Sequence, residues 1–203
     1  LLLNCSCNNG ADHTFLYLKG KEFMRPIVIT GGPGAGKTTL LNALGHLGYA
    51  TFAEGSRILI EQQSQLENGI LPWSNLPEFA NLCLEFMGKQ KCESLSHQVA
   101  FMDRAIPDIV AYLQVGGCLV EQAFLTESAG YHSQVLTCRP EASIYVQDEV
   151  RPHSFEEALQ IHHALVETYA ELGYEVVEVP WGTIPERVEF VRRVTGLVVE
   201  STN

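Results

Sequence analysis

Residues Gly31-Gly32-Pro33-Gly34-Ala35-Gly36-Lys37-Thr38 follow the apolar run Pro26–Thr30 (PIVIT) and open the segment Thr38–Gly48 (TTLLNALGHLG). Gly31, Gly36, Lys37 and Thr38 occupy every fixed position of G-x-x-x-x-G-K-[ST]. Glycines let a backbone fold around a phosphate and point successive N–H groups inward, where a Cβ would obstruct them. The helix expected from about Lys37 adds its positive N-terminal end. Lys37 is placed to neutralise β- and γ-phosphates, and the Thr38 hydroxyl to ligate Mg²⁺. Strand, Gly-rich turn and helix in that order are the context that turns the pattern into a phosphate loop. Gly31 to Thr38, with Thr39 behind them, are therefore expected to bind a nucleoside triphosphate with magnesium.

Working outward, apolar runs bounded by turn residues alternate with helix-period segments, the pattern of an α/β protein with a helix-covered parallel sheet. Strands are expected at Pro26–Thr30, Tyr49–Ala53, Val99–Met102, Gln134–Thr137 and Glu175–Val179. Helices are expected at Lys37–Leu47, Ser56–Gln65, Pro77–Cys92, Pro107–Val115, Cys118–Thr126 and Pro185–Val194. The clearest amphipathic helix begins at Ser154, which forms a capping box with Glu157. Phe155, Ala158, Leu159, His162, Leu165, Val166, Tyr169 and Leu172 trace its apolar face, and Gly173 closes it. His162 and His163 diverge on that helix and make no metal pair.

The chain has 203 residues, 46% apolar and 18% charged, enough for one substantial core and too hydrophobic for disorder. Its net charge is −11, from 13 basic against 24 acidic residues, which argues against a nucleic-acid binder. No apolar run is long enough to span a membrane. Six cysteines show no paired C-x-x-C units, so a reducing cytoplasm is the simplest compartment. Residues 1–23 read as an N-terminal extension outside the domain, and 24–203 as the domain, with a lid around 139–155.

The remaining candidates sit at strand ends. Asp103-Arg104 follows the third strand, beside the phosphate loop if the first and third strands pair. Asp103 is suited to the Mg²⁺ water shell or to a substrate proton, and Arg104 to a phosphate or carboxylate. Glu121 is the rival acid. Glu54, past the second strand, suits an acceptor-binding role, with Arg57 joining or pairing with it. Asp148 and Arg151, with Arg139, belong to the expected lid, Arg151 closing over transferred phosphate. Trp181, in Pro180-Trp181-Gly182-Thr183, is positioned to stack on the nucleotide base. The guanine-reading motifs of switch proteins are missing.

Together the segments ITGGPGAGKTTLLNAL, ATFAEGSRILI, FMDRAIPDIVAYL, IYVQDEVRPHSFEEALQIHHALVETYAELGYEVVEVP and ERVEFV resemble the small predicted ATPases with an AAA-type P-loop domain. That family is similar to the ribosylnicotinamide kinase domain of the NAD-biosynthesis regulator and has eukaryotic relatives described as GTP- and phosphoinositide-binding. The resemblance implies a kinase-like P-loop NTPase fold, a three-layer sandwich with a five-stranded parallel sheet. It carries the phosphate motif onto Gly31, Gly36, Lys37 and Thr38, and its other shared segments onto Asp103, Arg104, Asp148 and Arg151. The expected activity is transfer of phosphate from ATP (GTP being the alternative), with Mg²⁺, to a small hydroxylated, nucleoside-like metabolite. The alternative is a nucleotide-dependent hydrolase or binding module acting on a partner protein. Phosphoinositide binding is the weakest reading, since anionic head groups need a basic patch.

Overall fold

The computed structural model describes residues 15–18, 21–145 and 154–197. Phe15–Leu18 (β1) and Lys21–Met24 (β2) pair antiparallel as a separate two-stranded sheet. All but Met24 lie in the stretch 1–23 expected as an extension, where no strand was foreseen.

The main sheet uses β3 (Ile27–Thr30), β4 (Ala50–Phe52), β5 (Ala100–Asp103), β6 (Gln134–Thr137) and β7 (Glu175–Glu178). All five are parallel, in the order β4-β5-β3-β6-β7. The helices between them are α1 (Lys37–His46), α2 (Gly55–Gln63), α3 (Leu76–Ser94), α4 (Ile106–Val115), α5 (Gln122–Glu127), α6 (Phe155–Glu171) and α7 (Ile184–Val194). This is the α/β P-loop architecture with a five-stranded parallel sheet, and the first and third expected strands are direct neighbours. Between Cys118 and Glu121 the chain is not helical, contrary to the expectation of a helix from Cys118. Gly116 and Gly117 end α4, and α5 starts only after Glu121.

Every residue of β3 and β5 is buried, which explains why each runs apolar for its first three residues before ending on Thr30 or Asp103. Successive side chains leave a strand on opposite faces. Ile27, Ile29, Phe101 and Leu136 join Leu40, Leu44, Val188 and Val191 beneath α1 and α7. Val28, Met102 and Val135 meet Tyr169 on the other face, where α4 and α6 pack on each other. The expected face of α6 is the one that packs, and its cap forms as read: Ser154 N–H donates to Glu157 at 2.6 Å, and Glu157 N–H to Ser154 Oγ at 3.2 Å.

One carboxylate ties these layers together. Asp108, fully buried, accepts from Thr30 Oγ1 (2.6 Å), Arg104 Nη1 (2.8 Å), the Ala105 N–H (3.0 Å) and the Tyr169 hydroxyl (2.6 Å). Removing it would leave the buried Arg104 cation without a main counter-charge. We expect Asp108→Ala to lower the unfolding free energy by about 3–5 kcal/mol, read by urea titration. Leu47→Ala, at a side chain 56% exposed, should stay within about 0.5 kcal/mol.

His162 supplies a pH signature. It is 3% exposed and its Nδ1 has no partner. Burial, with His163, Arg139 and Lys37 in support, pushes its pKa down from 6.5 to about 4. The unfolded chain therefore takes up the proton first. Stability from this group is complete above pH 6.5 and is lost as pH falls toward 4. Urea titrations across that window should show a shallower loss in His162→Leu than in the unmodified protein.

Candidate functional site

Parallel strands deliver their carboxyl ends to one edge, and the crevice there is where open α/β sheets hold ligands. The loop after β3, Glu54 after β4, Asp103 and Arg104 at β5, Cys138 after β6 and Trp181 after β7 all reach that edge. The register holds them there: Ile29 pairs with Asp103 and Thr30 with Thr137. Arg104 N–H donates to Ile29 O (3.0 Å) and Cys138 N–H to Thr30 O (2.8 Å).

The phosphate loop packs too closely for a side chain at its entrance. Gly31 sits at φ 129°, and a Cβ there would meet the Cys138 carbonyl oxygen at 2.0 Å. Gly36, at φ 71°, precedes the first turn of α1, whose Leu40 N–H returns to the Gly36 carbonyl at 3.1 Å. Ala35 is buried, Pro33 and Gly34 are half-buried, and Thr38 and Thr39 are exposed. Lys37 arches back so that its ammonium donates to the Gly31 and Gly32 carbonyls at 3.1 and 2.9 Å. Burial lowers the pKa of Lys37, and Arg104 adds to this.

Asp103 and Thr38 meet. Thr38 Oγ1 donates to Asp103 Oδ2 at 3.1 Å, and Asp103 Oδ1 is buried with no partner. Burial raises the pKa of Asp103, with Lys37 the first opposing influence. A hydroxyl beside a carboxylate with an unspent oxygen is a hard, oxygen-only donor pair, the chemistry Mg²⁺ takes with one or two carboxylates and substrate phosphates. Among the described residues no group of three or more His, Cys, Asp or Glu gathers into a metal centre. The rival acid, Glu121, is exposed at the start of α5.

Arg104 is turned inward. It has φ 66°, the one non-glycine residue in the left-handed region among those described. Its side chain is 4% exposed and donates to Glu54 Oε1 (3.0 Å) and Asp108 Oδ1 (2.8 Å), over the ring of Tyr112 at 5.8 Å. Burial opposes its charge, but Tyr112, Glu54 and Asp108 hold its pKa well above the usual value. Glu54 also accepts from Ser56 at 3.0 Å. Burial would raise the pKa of Glu54; Arg104 and Lys37 outweigh that and hold it below the ordinary carboxylate value. Arg57 turns instead to Glu61 at 3.4 Å on the surface.

The strands also converge on a residue the sequence reading did not single out. Arg187, on α7, is 2% exposed; its Nη2 reaches the Ala35 carbonyl at 3.4 Å and Cys138 Sγ at 3.0 Å. Its Nη1 lies 2.9 Å from where a Cβ on Gly36 would stand, and its guanidinium covers Trp181 at 5.0 Å from the ring centroid. Trp181 is 37% exposed and donates its indole N–H to the Arg139 carbonyl at 3.1 Å. Burial raises the Cys138 thiol pKa against the opposing pull of Arg187. Asp148 and Arg151, expected in the lid, lie outside the described residues.

Among solved structures, the NadR protein in complex with NR superposes with a TM-score of 0.62 at 19% identity, over 89% of this chain and 54% of that one. The chain thus spans about half of that protein. The deoxyadenosine kinase of M. mycoides gives 0.61 at 15% identity, over 85% and 100% of the two chains. The shikimate kinase of Acinetobacter baumannii, solved with shikimate, gives 0.52 at 15% identity, over 87% and 96%. At such identities the likeness is one of fold, and the fold is that of P-loop kinases. No curated protein matches this chain. Residues 26–187 match the AAA domain family, a span that takes in the phosphate loop, both strand-end acids and Arg187, and the chain belongs to that family.

Proposed function

We propose that this chain is an ATP-dependent kinase that transfers a phosphoryl group to a hydroxyl of a small, uncharged metabolite of nucleoside type. The observation that carries the reading is the state of Arg104. A kinase acting on an anionic acceptor needs free cationic donors beside it. Here the buried guanidinium is held between Glu54 and Asp108, and Glu54, with 26% of its side chain exposed, is the more accessible of the Arg104–Glu54 pair. An ionised carboxylate accepts a hydrogen bond and repels a phosphate. That favours a hydroxyl over a nucleotide monophosphate.

In this reading the loop amides and Lys37 hold the triphosphate, the ammonium exchanging the Gly31 and Gly32 carbonyls for β- and γ-phosphate oxygens. Thr38 and Asp103 would hold Mg²⁺, which supplies charge neutralisation to the transferring group. Glu54 orients the acceptor hydroxyl and takes its proton as the oxygen attacks phosphorus, with nucleoside diphosphate leaving. Trp181 offers its open face to the base, with Arg187 stacked on the ring. Stacking of that kind suits adenine and guanine alike, so GTP is expected to serve as a donor as well. Catalysis then comes from placement and charge.

The test is a set of nucleosides and shikimate incubated with γ-labelled ATP, reading transfer separately from hydrolysis. Lys37→Ala should lower transfer by about 10²-fold or more. Glu54→Gln should lower kcat by about 10²- to 10⁴-fold while nucleotide binding persists. Asp103→Asn should weaken the magnesium dependence and spare binding. Full transfer in Glu54→Gln sinks the acceptor assignment; slow hydrolysis with no labelled product in any acceptor points to the nucleotide-dependent binding module.

A further inference from the structure

The sheet has a second edge. At the amino ends of β3, β6 and β7 a cavity of about 310 Å³ opens, with Arg25, Leu125, Ser128, Tyr131, Leu172 and Tyr174 in its walls. We propose that this cavity binds a small organic anion, its carboxylate or phosphate against Arg25 and Ser128 and its apolar body against Leu125, Leu172 and the Tyr174 ring.

The argument starts from charge. Arg25 is half-buried, and its Nε is buried without an acceptor. Among the described residues the one other orphaned arginine nitrogen is Arg187 Nε, and Arg187 spends its Nη2 on Ala35 and Cys138; Lys37 and Lys91 hold carbonyls, Arg104 two carboxylates and Arg192 the Tyr49 hydroxyl. A guanidinium keeps its charge and carries five donors in a fixed fork. Leaving its Nε buried and unpaired is unfavourable, and a planar carboxylate or a phosphate satisfies Nε together with a terminal nitrogen in a bidentate way. In a chain of net charge −11 such a cavity is not the by-product of a basic surface.

Ser128 is the second, independent observation. It is 1% exposed and its Oγ has no hydrogen-bond partner. The Tyr174 hydroxyl donates to the Ser128 carbonyl at 2.5 Å, which leaves the serine hydroxyl unspent. A hydroxyl rotor and a guanidinium in the walls of one cavity offer donors to one oxyanion. The volume lies at the small end of the range for metabolite pockets, about 300–1,000 Å³.

The location separates this site from the nucleotide. Between Arg25 and the phosphate loop run the four residues of β3, at about 3.3 Å each, or roughly 13 Å. A ligand there touches neither Lys37 nor Glu54, so the proposal stands or falls apart from the kinase reading.

Saturation-transfer NMR tests it, with phenyl phosphate and benzoate as separate probes on protein whose phosphate loop is filled by ADP and magnesium. At least one probe should bind at millimolar concentration, and the one that binds names the head group. Arg25→Met, which keeps the stem, should weaken that binding by about tenfold or more. Ser128→Ala should weaken it less, with ADP affinity unchanged in both variants. Benzyl alcohol, lacking the charge, should bind worse than either anion. Absence of binding by both anions, or binding untouched in Arg25→Met, overturns the proposal.

Discussion

A buried carboxylate organises the phosphate-binding edge of this protein. Asp108 takes hydrogen bonds from the end of β3, the cap of α4, the ring hydroxyl of α6 and the guanidinium of Arg104. Each is a polar group in a place without water, where an unmet donor is costly. Four donors around one acid settle the relative position of two layers and the sheet edge between them. Arg104, turned inward, bridges Asp108 to Glu54, and its left-handed backbone is the local strain at that position. The geometry around Glu54 descends from Asp108 although Asp108 itself is fully buried.

What the sequence disclosed, and what it withheld, follows from the range of the interactions. The phosphate loop was legible because its signature runs through consecutive residues and Lys37 folds back onto Gly31 and Gly32, although Gly31, Gly36 and Thr38 also meet Cys138, Arg187 and Asp103 from far along the chain. The boxes at Ser154–Glu157 and Thr183–Glu186 close over three residues, although only the first was read. The sheet was legible because strands buried on both faces cannot alternate. Asp108 was on the page within FMDRAIPDIVAYL but read only as part of a helix. An acid on the apolar face of α4 was the available signal, and its partners Thr30 and Tyr169 are 78 and 61 residues away. Arg187 left less trace still. It sits within ERVEFV among charged neighbours, and the Ala35 carbonyl it reaches lies 152 residues away. The non-helical Cys118–Glu121 shows the limit of propensity, since paired glycines ahead of it had already ended the preceding helix.

The neighbours in fold include kinases whose names specify different small molecules. Neighbours of such variety share the sheet and its edge, and what differs lies in the side chains set upon it. In this chain the ends of β4 and β5 carry Glu54, Asp103 and Arg104, with Tyr112 behind them. On the kinase reading proposed above, an acid engaged by an arginine would select an acceptor by hydrogen bonding more than by charge.

The contact between Arg187 and the phosphate loop has a consequence for how the protein is made. The Ala35 carbonyl and the guanidinium that reaches it are 152 residues apart in the chain. On a ribosome the loop therefore emerges well before its lateral support. A nascent chain short of α7 would present the glycines with no buttress and Trp181 with no stacking partner. The full form of the loop would thus be reached only after the α7 region has been made.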